Sequence, residues 1–238
     1  MQDILANAVE MHRTGQLGPA AQSYQQVLAQ EPENIQALHL LGVLRHQQGD
    51  HAQAVELMGR AVALRPNAFG IHANLAEAYR VSGEFDRAIG CCRTALGLNP
   101  DYPEALCNLG TALQGLGRQD EAVEHFRRAL QLRPDFVTVH NNLGIALREL
   151  GQPEQALTHF RRAVELDPTF APARTNLGLL LLDRGQAEEA LQHCQEAARL
   201  QPNVAALHHN LGNVLRGLER FVEARAAYLE ALRLDPNL

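Results

Sequence analysis

Apolar residues of two sizes recur along the chain with a fixed beat of 34 residues, repeated seven times to fill all 238 positions. Number one beat from Met1, so that residue and position numbers coincide in the first unit. Position 20 is then always alanine: Ala20, Ala54, Ala88, Ala122, Ala156, Ala190 and Ala224. Position 8 is small throughout: Ala8, Gly42, Ala76, Gly110, Gly144, Gly178 and Gly212. Position 27 is Val27 in the first unit and alanine in the rest. Between these small residues stand larger ones, leucine at position 7 from Leu41 onward and, at position 24, Tyr24, Met58, Cys92, Phe126, Phe160, Cys194 and Tyr228. Positions 20, 21, 24, 27 and 28 share one face of a 3.6-residue helix. The pattern predicts two helices per unit, each about 14 residues long, approaching closely where small side chains face large ones.

The breaks between helices are equally regular. Gly15, Gly49, Gly83, Gly117, Gly151 and Gly185 stand mid-unit, where reversal after a first helix favours a residue tolerant of positive φ. Pro32, Pro66, Pro100, Pro134, Pro168, Pro202 and Pro236 stop the second helix. Position 33 carries Glu33, Asn67, Asp101, Asp135, Thr169, Asn203 and Asn237, which are read as N-caps of the next helix. A period of this length means a solenoid whose units contact only their neighbours, so function is sought on the surface that stacking creates.

Leu-Gly at positions 7 and 8, alanine at 20 and 27, a large residue at 24 and proline at 32 resemble the tetratricopeptide repeat family over the whole chain. The resemblance implies an all-α, right-handed superhelical solenoid of seven repeats, 1–34, 35–68, 69–102, 103–136, 137–170, 171–204 and 205–238, in one domain. First helices would line a concave groove and second helices the convex back. Departures sit at the ends, with Asn7 and Val27 in repeat 1 and Glu219 and Arg225 in repeat 7. The chain stops on the last position of a unit with no polar helix to cover it, which points to a fragment of a longer protein.

Composition narrows the partners. The net charge of −6 carries no basic stripe for phosphate neutralisation, so nucleic acid is not an expected partner. All 21 basic residues are arginine, read as codon bias rather than demand for bidentate recognition. No secretion signal and no membrane-length apolar run is visible, so a soluble, cytoplasmic protein without membrane contact is expected. The four cysteines have neither metal-ligand nor redox spacing and are read as reduced structural thiols. No phosphate-binding loop, zinc-protease or nucleophile-elbow motif is present. His208 and His209 point about 100° apart on one helix. No catalysis, cofactor or metal is expected.

The groove offers chemistry of a different kind. Position 6 is Asn74, Asn108, Asn142, Asn176 and Asn210 in five consecutive repeats. A side-chain amide matches a peptide group's own donor and acceptor, so such a row can hold an extended chain without reading its sequence. With repeats stacked at roughly 10 Å and about 3.3 Å per extended residue, every third ligand residue meets a rung. The same row also reads as architecture that ties neighbouring helices. Repeats 1 and 2 break it with Ala6 and Leu40, which with Val9 and Val43 form an apolar entrance. Arg80, Arg148 and Arg216 recur at position 12 among Glu77, Glu149 and Asp183, and are read as solvated or paired ahead of ligand contacts.

Members of the family that clamp acidic chaperone tails carry lysine at positions 2 and 5 and arginine at 6, and this chain carries neither. The asparagine row is similar to that of the superhelical region of O-GlcNAc transferases, and the likeness extends to those five residues alone. Three readings follow. The first is a scaffold binding extended peptide or protein segments. The second is the recruiting region of such a glycosyltransferase, its catalytic part lying elsewhere. The third is an assembly module that forms homo-oligomers.

Overall fold

The computed structural model describes residues 2–237, in which there are fourteen helices and no strand. Their contacts fall into two compact units, Met1–Leu132 and Arg133–Leu238. The first unit holds α1 (Gln2–Arg13), α2 (Leu17–Gln30), α3 (Ile35–Gln47), α4 (His51–Leu64), α5 (Phe69–Val81), α6 (Phe85–Leu98), α7 (Pro103–Gly115) and α8 (Gln119–Leu132). The second holds α9 (Val137–Glu149), α10 (Pro153–Leu166), α11 (Ala171–Asp183), α12 (Ala187–Leu200), α13 (Ala205–Gly217) and α14 (Phe221–Leu234). Odd and even helices pair within each repeat, and within a unit each even helix also packs on the next odd one.

The size pattern read from the sequence is the packing. Every position-20 alanine is buried, and so is every position-24 residue except Tyr228, which is half-buried. Repeats 1 and 3 fit a methyl at position 8, in Ala8 and Ala76, but where the residue is glycine the clearance is smaller than a methyl group. A Cβ built on Gly110 would lie 2.6 Å from the Phe126 ring, and one on Gly144 would lie 2.6 Å from the Phe160 ring. Glycine there is a packing requirement, because the first helix rests its backbone directly on the second helix's large side chain.

The mid-unit glycines are a conformational requirement. All six adopt φ between 72° and 84°, and the chain closes the helix with bonds such as Gln16 N–H to the Met11 carbonyl at 2.9 Å. Repeat 7 makes the same turn with Glu219 at φ 58°, the one positive φ among the described residues that is not glycine.

The caps differ from expectation. First helices after α1 are capped at position 34, one residue later than the sequence suggested, and only Asn34 uses its side chain, accepting from Ala37 N–H at 3.0 Å. Ala68, Tyr102, Phe136, Phe170 and Val204 hold the other caps and make no side-chain cap hydrogen bond. Polar residues at position 33 lie within the turn itself; the Thr169 hydroxyl is spent on Asp167 at 2.7 Å. Position 237 falls in the last turn, with no helix beyond it among the described residues.

The third and fourth repeats are keyed by a second size match. Phe85 at position 17 of repeat 3 lies over position 13 of repeat 4, where a Cβ on Gly115 would be 2.5 Å from the ring. First helices turn positions 3, 7 and 10 inward, as with the buried Ala105, Leu109 and Ala112 of α7. In α1 the same positions are Asp3, Asn7 and Glu10, all exposed. These residues give α1 a polar outer face.

Two stability measurements check this account. Gly110→Ala should cost about 1–3 kcal/mol by overpacking, read as a lower denaturant midpoint with unchanged slope. Glu219→Gly should instead stabilise by about 0.5–1 kcal/mol, because relief of left-handed strain exceeds glycine's added unfolded-state entropy.

Candidate functional site

The odd helices present position 6 beside positions 2, 5 and 9 on one helical face. In the first unit these include Leu40 and Val43 on α3, Asn74 and Glu77 on α5, and Asn108 and Thr111 on α7. Leu40 and Val43 are partly buried against the core below, so this entrance is apolar but shallow. Val43, Met58, His46, Asn74 and Glu77 enclose a small cavity of about 50 Å³.

All five asparagines are half-buried, and each unit uses them to reach across repeats. Asn108 donates from Nδ2 to the Ala73 carbonyl at 3.1 Å. Asn74 Nδ2 stands 2.8 Å from His39 Nε2. In the second unit Asn176 donates to Asn141 Oδ1 at 2.8 Å, and Asn141 in turn donates to Asn142 Oδ1 at 3.2 Å. In each cross-repeat bond, position 6 meets position 5 of the preceding repeat. The bond at Asn108 fixes which end of the amide faces inward, since a carbonyl accepts only from the NH₂. Among the described residues, the Oδ1 atoms of Asn74, Asn108 and Asn176 have no protein donor and Asn210 has no side-chain partner.

Asn141 is the residue the sequence reading missed. It is 5% exposed and links Asn176 to Asn142. An amide at position 5 immediately before the row was the available signal.

The position-12 arginines divide. Arg80 forms a bidentate pair with Glu77, at 2.6 and 2.8 Å, in a partly buried setting. Burial opposes ionisation of Glu77, but the hydrogen bond and charge of Arg80 outweigh it and hold that carboxyl below its ordinary range. The same bond raises Arg80 above the usual arginine value. Arg148 is half-buried and Arg216 exposed, and neither makes an ion pair among the described residues.

Two second-helix histidines, His159 and His193, meet side chains of the first helices. The Nδ1 atoms of His140 and His159 are 3.0 Å apart, while His140 Nε2 reaches the Pro134 carbonyl at 2.9 Å. His193 stands at the same repeat position as His159 and meets Arg174 at 3.5 Å. A second imidazole pair, His46 and His51, is also 3.0 Å apart. Burial holds His39, His46, His125, His140 and His193 below the ordinary imidazole value. Burial also pushes the Cys107 and Cys194 thiols up to about 12, so both are protonated at neutral pH. No group of three His, Cys, Asp or Glu among the described residues could hold a metal ion, and no helix there is long and apolar enough to cross a membrane.

With this geometry in place, the comparisons with known proteins define the class. Tetratricopeptide repeat models match residues 13–69 and 141–205, 68–135, and 205–238. The chain belongs to the tetratricopeptide repeat family. A search of the curated proteins finds no match. Among solved structures, MamA is 25% identical over 68% of this chain and 94% of its own, with a TM-score of 0.60. YrrB, described as a tetratricopeptide repeat protein with an unusual peptide-binding site, is 25% identical over 76% of this chain and 94% of its own, with a TM-score of 0.57. The Cut9–Hcn1 assembly of the APC/C matches all of this chain and 47% of its own, with a TM-score of 0.88 at 19% identity, a likeness of fold alone.

The depressed histidines set a pH dependence. Their unfolded-state value is near 6.5 and the folded value is lower, so below 6.5 the unfolded chain binds more protons and stability falls with pH. The melting temperature should hold from pH 8 to about 7 and decline toward pH 5. His140→Gln should make that decline shallower.

Proposed function

We propose that this protein is a protein-interaction scaffold whose odd-helix faces hold extended peptide segments through the position-6 amides. The observation that carries the reading is the orientation of Asn108. Its NH₂ is engaged by the preceding repeat and its carbonyl oxygen has no protein donor among the described residues. That oxygen suits a ligand's backbone N–H, and the internal bond holds it in place, which lowers the entropy lost on binding. Asn74 and Asn176 likewise reach position 5 of the preceding repeat. The shallow apolar floor at Leu40 and Val43 suits an aliphatic ligand side chain. YrrB, similar over most of its length, is described as having a peptide-binding site, which supports the class of ligand.

Each such hydrogen bond contributes a net ~1 kcal/mol, so useful affinity needs several rungs. The architectural and binding roles of the row are compatible: one end of the amide ties the repeats and the other faces the ligand. The glycosyltransferase reading draws on the same five asparagines and on no further residue, so it adds a destination for the bound segment rather than a different site.

Binding of the purified chain to an array of extended peptides, repeated with Asn108, Asn142 and Asn176 changed to alanine, tests the reading. The triple variant should lose array binding while remaining fully folded at the assay temperature, with its melting point lowered by a few degrees for the lost cross-repeat bonds. Binding retained by the folded triple variant would assign the row to architecture alone.

A further inference from the structure

Two imidazole pairs in the chain share one nitrogen spacing and differ in how their rings meet. The Nδ1 atoms are 3.0 Å apart both in His46–His51 and in His140–His159. In the second pair the ring centroids are 5.3 Å apart, as for rings that meet head-on. In the first they are only 4.8 Å apart, with the rings tilted by 54°. At equal nitrogen spacing, closer centroids mean that at least one ring is swung off the line joining the nitrogens. Its lone pair then aims beside that line, where a third atom can bond to both.

The protons differ in the same sense. His140 Nε2 donates to the Pro134 carbonyl, so its Nδ1 acts as acceptor and takes the proton of His159. A hydrogen bond completes that pair. His46 and His51 have no partner for Nε2 among the described residues. The proton held on one Nδ1 can therefore move to Nε2 of the same ring, which frees both Nδ1 lone pairs. Repeat 2 alone places histidine at both positions 12 and 17.

We infer that His46 and His51 form a binding site for Cu²⁺ or Ni²⁺, bridging the end of α3 and the start of α4. With metal–nitrogen bonds of about 2.05 Å, their 3.0 Å spacing corresponds to an angle of about 94° at the ion. Adjacent ligands of a square or octahedral shell make that angle, whereas a tetrahedral ion such as Zn²⁺ needs a spacing of about 3.3–3.4 Å. Water takes the remaining positions. The cavity of about 50 Å³ bounded by Val43, His46, Met58, Asn74 and Glu77 has room for about one such water. Glu77 on its wall supplies negative charge. Its bidentate partner Arg80 is neutralised by that bond, and of the two Glu77 acts more strongly on His46. Burial holds His46 below the ordinary imidazole value, so no bound proton competes with the ion at neutral pH. Both rings are half-buried, which leaves them a path to solvent.

Calorimetric titration of the metal-free chain with Ni²⁺ at neutral pH, in a buffer that does not chelate, tests the site. One ion should bind per chain, at least about tenfold more weakly to His46→Gln and to His51→Gln, and with unchanged affinity to His140→Gln. Bound Ni²⁺ should also raise the melting temperature of the native chain and leave that of the first two variants where it was. Circular dichroism of the ion-free variants checks that each is folded. No binding by the native chain, or binding as tight in both His46→Gln and His51→Gln, would overturn the inference. So would binding lost in His140→Gln, since the other pair would then hold the ion.

Discussion

The contact between position 8 and position 24 is the constraint on which the remaining structure depends. A glycine backbone resting on Phe126 or Phe160 sets the distance between two helices to within a methyl group. The alanines at positions 20 and 27 keep that distance along the pair. Once it is set, the turn between the helices has one solution, a left-handed residue at position 15, which explains why the backbone reaches φ 58° even where the residue is Glu219. Packing is the stronger term here, because a strained turn costs about 1–2 kcal/mol while opening a helix pair would expose several fully buried side chains, each worth about 1.5–3 kcal/mol.

This constraint also explains how much was legible from the sequence. Helix pairing, the small and large positions and the positive-φ glycines all depend on residue size or backbone freedom, and both are properties of single residues that recur at fixed spacing. The caps were misplaced by one residue because Asn, Asp and Thr at position 33 are good capping residues in isolation. In the folded chain the turn after proline engages them first, as Thr169 engages Asp167. The cross-repeat bonds were not legible, because they depend on how far one first helix is rotated against the next. Position 6 meets a histidine ring, a backbone carbonyl and a side-chain amide in three different repeats. No property of the asparagine alone announces which.

The amide row thereby changes meaning. Sequence patterning set architecture and peptide binding as competing explanations, since a hydrogen bond spent inside the protein is unavailable to a ligand. The geometry removes the competition by dividing the group. An amide has two donors and an acceptor with two lone pairs, and the bond from Asn108 to the Ala73 carbonyl consumes one donor. What it gives in return is orientation. A free asparagine side chain would present either end to a ligand and would lose that freedom on binding. A tied one has already lost it during folding, when the cost was offset by the packing of the repeat.

The two ends of the chain apply the same packing rules in opposite senses. At α1 the inward positions of a first helix are replaced by Asp3, Asn7 and Glu10, and Arg13 stands where Gly115 stands in α7. At α14 the outer face carries Phe221, at the position of Phe85, together with Val222 and Leu229 where every other repeat has a small or polar residue. Burying the carboxylates of Asp3 and Glu10 would cost desolvation that burying Val222 and Leu229 would not.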